Sequence, residues 1–158
     1  MLKLLVFLAC EKVIIDKAEM ASLINVLDSV TVGPDGQRDL TADAASPLHW
    51  EVFAIWRKTD DLVSNKKYEQ KIVLKGVDKK IIFEAVQPIT TDNTHWNYRS
   101  QLMVGAMPIG RKGTLSLKMY LREITPNSNW QEKGEYPLQI IHAKPETAKV
   151  SRSAKKKK

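Results

Sequence analysis

Cys10 stands at the end of an apolar run, directly before Glu11 and Lys12, and is the chain's first opportunity for covalent chemistry. An ammonium beside a thiol lowers its pKa and favours the nucleophilic thiolate. No histidine lies close in sequence to act as its base, and a cysteine at a strand end serves equally well as a small hydrophobe. His49 and His95 each precede a tryptophan, where an imidazole can polarise a carbonyl or ligate a metal. Two histidines are a poor ligand set, and no Cys-x-x-Cys or His-Glu-x-x-His run supplements them. Asp60-Asp61 and Thr90-Thr91-Asp92-Asn93 carry oxygens of the kind calcium takes, but the same residues are ordinary turn formers. The residues therefore predict no catalytic centre, no metal and no cofactor.

Binding groups are better represented. Gly105-Ala-Met-Pro-Ile-Gly-Arg-Lys-Gly113 places Arg111 and Lys112 between glycines, where exposed backbone N–H groups and two cations can receive an anion. It lacks the glycine spacing of a P-loop, and no Ser or Thr follows the lysine, so a bulged hairpin with a basic tip is the expectation. Trp130 lies in the polar run Asn127-Ser-Asn-Trp-Gln131. A large ring there either folds back over the core edge or waits as a binding anchor. Trp50, Trp56 and Trp96 have strand periodicity and read as packing. The last ten residues hold six positive charges and no negative one: Lys149, Arg152, Lys155, Lys156, Lys157 and Lys158. The whole chain is +7, so residues 1–148 carry only +1. Residues 145–158 are expected to be a disordered basic tail that solubilises or attracts nucleic acid and other anionic surfaces.

The elements that must position these groups read as strands. Thr114 to Arg122 alternates Leu115, Leu117, Met119 and Leu121 on one face with Ser116, Lys118, Tyr120 and Arg122 on the other. Such one-sided strands belong to antiparallel sheets. The same period of two runs through Ile24 to Val32 (interrupted by Asp28), Tyr68 to Leu74, Ile81 to Ala85, Trp96 to Val104 and Tyr136 to His142. Leu4 to Ala9 and Trp50 to Trp56 are apolar on both faces and predict strands covered from two sides. Pro88 to Asn93 reads as a polar connection. Lys17 to Leu23 allows a turn or a short helix, and Asp39 to Ala45, with Thr41 as a cap, a brief helical turn, both too short for βαβ crossovers. The expected architecture is a single domain over residues 1–144, all-β, with about eight mostly antiparallel strands in a two-sheet β-sandwich. A partly open β-barrel is the alternative.

The apolar run between Lys3 and Cys10 is six residues long, shorter than the roughly 7–15 of an export segment. It reads as a buried strand in a cytoplasmic protein, with a lipoprotein anchored at Cys10 as the alternative and no transmembrane segment. Leu5-Val-Phe-Leu-Ala-Cys-Glu-Lys-Val-Ile-Ile-Asp16, Ala21-Ser-Leu-Ile-Asn-Val-Leu-Asp28 and the Met107 to Leu121 region resemble a group of small uncharacterised bacterial proteins. That resemblance implies a β-sandwich in the bacterial cytoplasm and no established reaction, so it assigns no functional residue. The functional expectation is a non-enzymatic interaction or assembly module, binding a protein partner or self-associating through a sheet surface or edge, with Trp130, Arg111 and Lys112 as contacts. One alternative is a nucleic-acid-associated protein using the tail and the Arg111/Lys112 loop. The other is a Cys10-dependent enzyme.

Overall fold

The computed structural model describes residues 1–38, 40–59 and 66–144. Among them the chain is all-β, with eleven strands rather than eight: β1 (Leu2–Ile15), β2 (Ala21–Val26), β3 (Ser29–Val32), β4 (Ala45–Ser46), β5 (Trp50–Lys58), β6 (Lys67–Lys75), β7 (Ile81–Thr90), β8 (Asn97–Val104), β9 (Met107–Pro108), β10 (Gly113–Glu123) and β11 (Gln131–His142). A 3-10 turn at Asp35–Gln37 is the only helical element among the described residues. The strands form a four-stranded sheet ordered β2-β1-β5-β8, a five-stranded sheet ordered β3-β11-β10-β6-β7 and a small β4-β9 pair. Every ladder is antiparallel except β3 on β11.

Alternation decides which side of each strand is dry. Leu115, Leu117, Met119 and Leu121 of β10 are all buried, as are Tyr68, Gln70, Ile72 and Leu74 of β6. They meet Ala9, Trp50, Val52, Ala54 and Trp56 from the four-stranded sheet, so the two larger sheets share one core. Gln70, fully buried, is satisfied there: its Oε1 accepts from Trp56 Nε1 (2.7 Å) and Ser100 Oγ (3.0 Å). Its Nε2 donates to Gln87 Oε1 at 2.6 Å.

The four-stranded sheet is curled. The first part of β1 pairs with β5 as far as Cys10, and its remainder pairs with β2 alone. This β1–β2 hairpin folds over the outer face of β5, where Val13, Cys10, Leu23 and Ala21 pack with Phe53 and Ile55. Cys10 and Val13 are three residues apart, so a regular strand would point them to opposite sides. Asn25 breaks the regularity: it takes a positive φ of 48° opposite Glu11 and donates to Glu11 Oε2 at 2.6 Å. The second face of Trp50 to Trp56 is thus covered by the chain's own hairpin. The buried Glu51 carboxylate fastens it, accepting Val13 N–H (2.9 Å) and Gln101 Nε2 (2.6 Å).

Three local expectations need correction, and a fourth is narrowed. Ile24 to Val32 is two strands in two sheets: Leu27 N–H donates to Ala9 in one, and the Asp28 carbonyl accepts Gln139 N–H in the other. The polar connection at Pro88 is the end of β7, because its inward side chains, Gln87 and Ile89, continue the core face. Of the two forms open to Lys17 to Leu23 the chain takes the turn, which leads into β2, with the Asp16 carboxylate accepting the N–H groups of Ala18 and Met20. The Gly105 to Gly113 loop is no hairpin, since β8 and β10 lie in different sheets; it crosses between them, pinned by the β4–β9 pair. Gly110 packs on the chain at Thr41 and Ala42, where a Cβ would sit 2.2 Å from the Thr41 carbonyl oxygen. Backbone contact that close admits only glycine.

Candidate functional site

Cys10 is sealed. It is 0 % exposed, and desolvation, then the neighbouring Glu51 charge, pushes its thiol pKa up. The Lys12 backbone N–H favours the thiolate, but by less than burial opposes it. A buried, protonated thiol is a poor nucleophile, so the Cys10-dependent enzyme is corrected to a packing role.

His49 and His95 are not brought together. They precede β5 and β8, which run antiparallel, with Trp50 opposite Val104 and Lys58 bonded to Trp96, so the two imidazoles lie at opposite ends of the sheet. No group of three metal-ligating side chains occurs among the described residues. Asp60 and Asp61 lie outside them. Asp92 organises its own loop: Oδ1 accepts from Thr94 N–H (2.8 Å), His95 N–H (2.7 Å) and Thr94 Oγ1 (3.0 Å), while Oδ2 lies 2.7 Å from His95 Nδ1. The His95 backbone N–H and ring hold the carboxyl well below its ordinary range, although it is exposed to solvent.

Trp130 is folded back on the outer face of the five-stranded sheet. Lys71 Nζ lies 4.9 Å and the Arg122 guanidinium 4.4 Å from its ring centre. Both cations have carboxylate partners, Glu84 for Lys71 and Glu69 for Arg122, and Lys118 beside them pairs with Glu132. The ring is half-buried and this face is balanced in charge.

Arg111 and Lys112 are exposed, and Arg111 pairs with Asp78 at 3.2 Å. They border a shallow hollow of about 580 Å³ shared with Gln37, His142 and Lys144, the last described residue. The tail cations Lys149, Arg152, Lys155, Lys156, Lys157 and Lys158 lie outside the described residues.

A larger concavity lies elsewhere among the described residues, where β7 and β8 part. These strands are consecutive, yet each ends its own sheet and they do not pair. Direction of the main chain along each can be read from its ladder, because N–H and C=O alternate sides with period two. The Lys58 N–H bonds to the Trp96 carbonyl, so even-numbered residues of β8 turn to β5, and Asn97, Arg99, Gln101 and Met103 direct their main chain outward, away from the ladder. On β7 the Thr91 N–H bonds to Lys66, so the odd positions before it turn to β6, and Pro88 falls on the outward side. Proline costs no ladder bond there and also removes a donor from the open edge.

Between the two edges lies a groove of about 940 Å³, lined by Gln87 to Thr90, the Asp92 loop and Asn97 to Gln101. One side chain bridges it: Gln87 Nε2 donates to the Gln101 carbonyl at 3.1 Å. Trp96 stands at its wall, 52 % exposed, with Lys58 Nζ 4.8 Å from the ring centre. Sequence reasoning assigned Trp96 to packing and missed this surface. Pro88 inside an otherwise strand-like run was the available sign of an edge.

No protein-family model and no curated protein matches the chain. No helix among the described residues is long and apolar enough to cross a membrane, which says nothing about spanning by strands.

Proposed function

We propose that this protein is a non-enzymatic interaction module, a β-sandwich with one curled sheet like the small bacterial proteins it resembles, that receives a protein partner along the seam between β7 and β8. One observation carries the reading. Two sheet edges with unpaired main-chain groups flank a groove large enough for an extended segment, and open edges are sites of strand addition. The sealed Cys10 and separated histidines support a role without catalysis.

The test is selection of twelve-residue peptides displayed on phage against the immobilised protein, with Asn97→Pro as counter-target. Asn97 directs its N–H away from β5, so proline removes an edge donor and spares the main-chain ladder, losing besides only the side-chain bond from Arg57 Nε. Peptides that bind the parent and fail on the folded variant are the expected result. A selection yielding no such peptides sinks the proposal. Sedimentation of the free protein tests the version in which a second copy is the partner.

A second reading, association with nucleic acid, is favoured by one placement: Arg111, Lys112 and Lys144 share one end of the body, from which the basic tail continues. Its test compares DNA and RNA binding by the full chain and by residues 1–148 across a salt series. Tail-dependent binding that falls steeply with salt supports it. Equal binding by the shortened chain removes the tail from the explanation.

A further inference from the structure

We infer that the occupant of the seam is an extended segment carrying an acidic residue, paired with β8 and selected by Arg99. This rests on the seam reading and adds the chemistry of the partner. Main-chain pairing favours β8 over β7: Pro88 removes a donor from the β7 edge, whereas Asn97 and Arg99 keep both N–H and C=O outward within the groove.

Charge then decides which segment fits. The groove holds four acidic or basic side chains, Glu19, Asp92, His95 and Arg99. The Asp92 carboxylate is consumed by its own loop and pairs with His95. Glu19 is exposed and its carboxylate also enters none of the ion pairs among the described residues, but it lies in the β1–β2 turn and not on either edge strand, so a guest paired with β8 meets Arg99 across the ladder. Arg99 is exposed and enters none of the ion pairs among the described residues, although most other arginines of the body do. Its side chain projects from the outer face of an edge residue that itself offers main-chain bonds. A guest residue opposite Arg99 therefore lies at cross-strand distance, where opposite charges attract and like charges repel. The chain's own basic tail is the wrong sign for this place, so the guest is a partner's segment.

The same phage selection, run in parallel on the parent and on Arg99→Glu, tests the inference. The parent is expected to enrich Asp or Glu at one fixed position within alternating apolar residues, and the charge-reversed protein to enrich Lys or Arg there. A synthetic peptide from the parent pool should bind Arg99→Glu roughly five- to tenfold more weakly, the effect of losing one exposed pair and adding a repulsion. The same peptide methylated on alternate backbone nitrogens should lose binding in one of its two registers. Peptides that depend on Asn97 but show no acidic preference would overturn the acidic guest and leave the seam as the binding site. Peptides indifferent to Asn97 overturn both.

Discussion

Asp92 makes three hydrogen bonds through one carboxylate oxygen and a close contact with His95 through the other, all in a solvent-exposed turn. Each favours the ionised form, so the folded-state pKa lies below the unfolded value of about 3.9. A depressed carboxylate stabilises the fold above the unfolded pKa, and that contribution is lost as pH falls through the folded one. Urea denaturation should therefore find Asp92→Asn less stable than the parent at about pH 5. The margin should narrow as acid is added below about pH 4. A gap that widens in acid contradicts the assignment. The loop so held carries Trp96, which sets the geometry of the groove wall.

At the scale of strands, one polar line joins core to seam. The Trp56 indole donates to Gln70, Gln70 to Gln87, and Gln87 to the Gln101 main chain. Gln70→Leu should cost about 1–3 kcal/mol in equilibrium denaturation, because a buried indole N–H loses its acceptor. Gln87→Leu, nearer solvent, should cost less. An equal cost for both would show that the line is not graded by burial.

Most of these strands were legible from alternation. β10 shows why: its four leucine and methionine side chains share one dry face, and nothing tertiary has to intervene. The β2–β3 division was not legible, since Ile24, Val26, Val30 and Val32 keep one pattern across a change of sheet. That change is made by main-chain bonds to Ala9 and Gln139, far away in sequence. The seam was largely hidden for the same reason: consecutive strands usually pair, and within Ile81 to Val104 only Pro88, which removes a donor from the outward side of β7, speaks against it. Cys10 was ambiguous locally, because Lys12 argued for reactivity and only the folded hairpin shows the thiol covered.

For the molecule as a whole, Trp50 and Trp56 lie in the core that both large sheets build. Tryptophan fluorescence and far-ultraviolet circular dichroism should therefore report one coincident unfolding transition in urea, with a β-type spectrum at the start. Separated midpoints would mean that the sheets melt independently, and a helical spectrum would contradict the fold. The β3–β11 pairing has a further effect. Residues 29–32 find their parallel neighbour only at residues 139–142. A chain growing on the ribosome cannot cover that edge until β11 is made, so the early sheet emerges with aggregation-prone backbone waiting for it. Premature termination before Gln131 would yield a sticky fragment rather than a smaller version of the fold, and quality-control proteases would meet it as such.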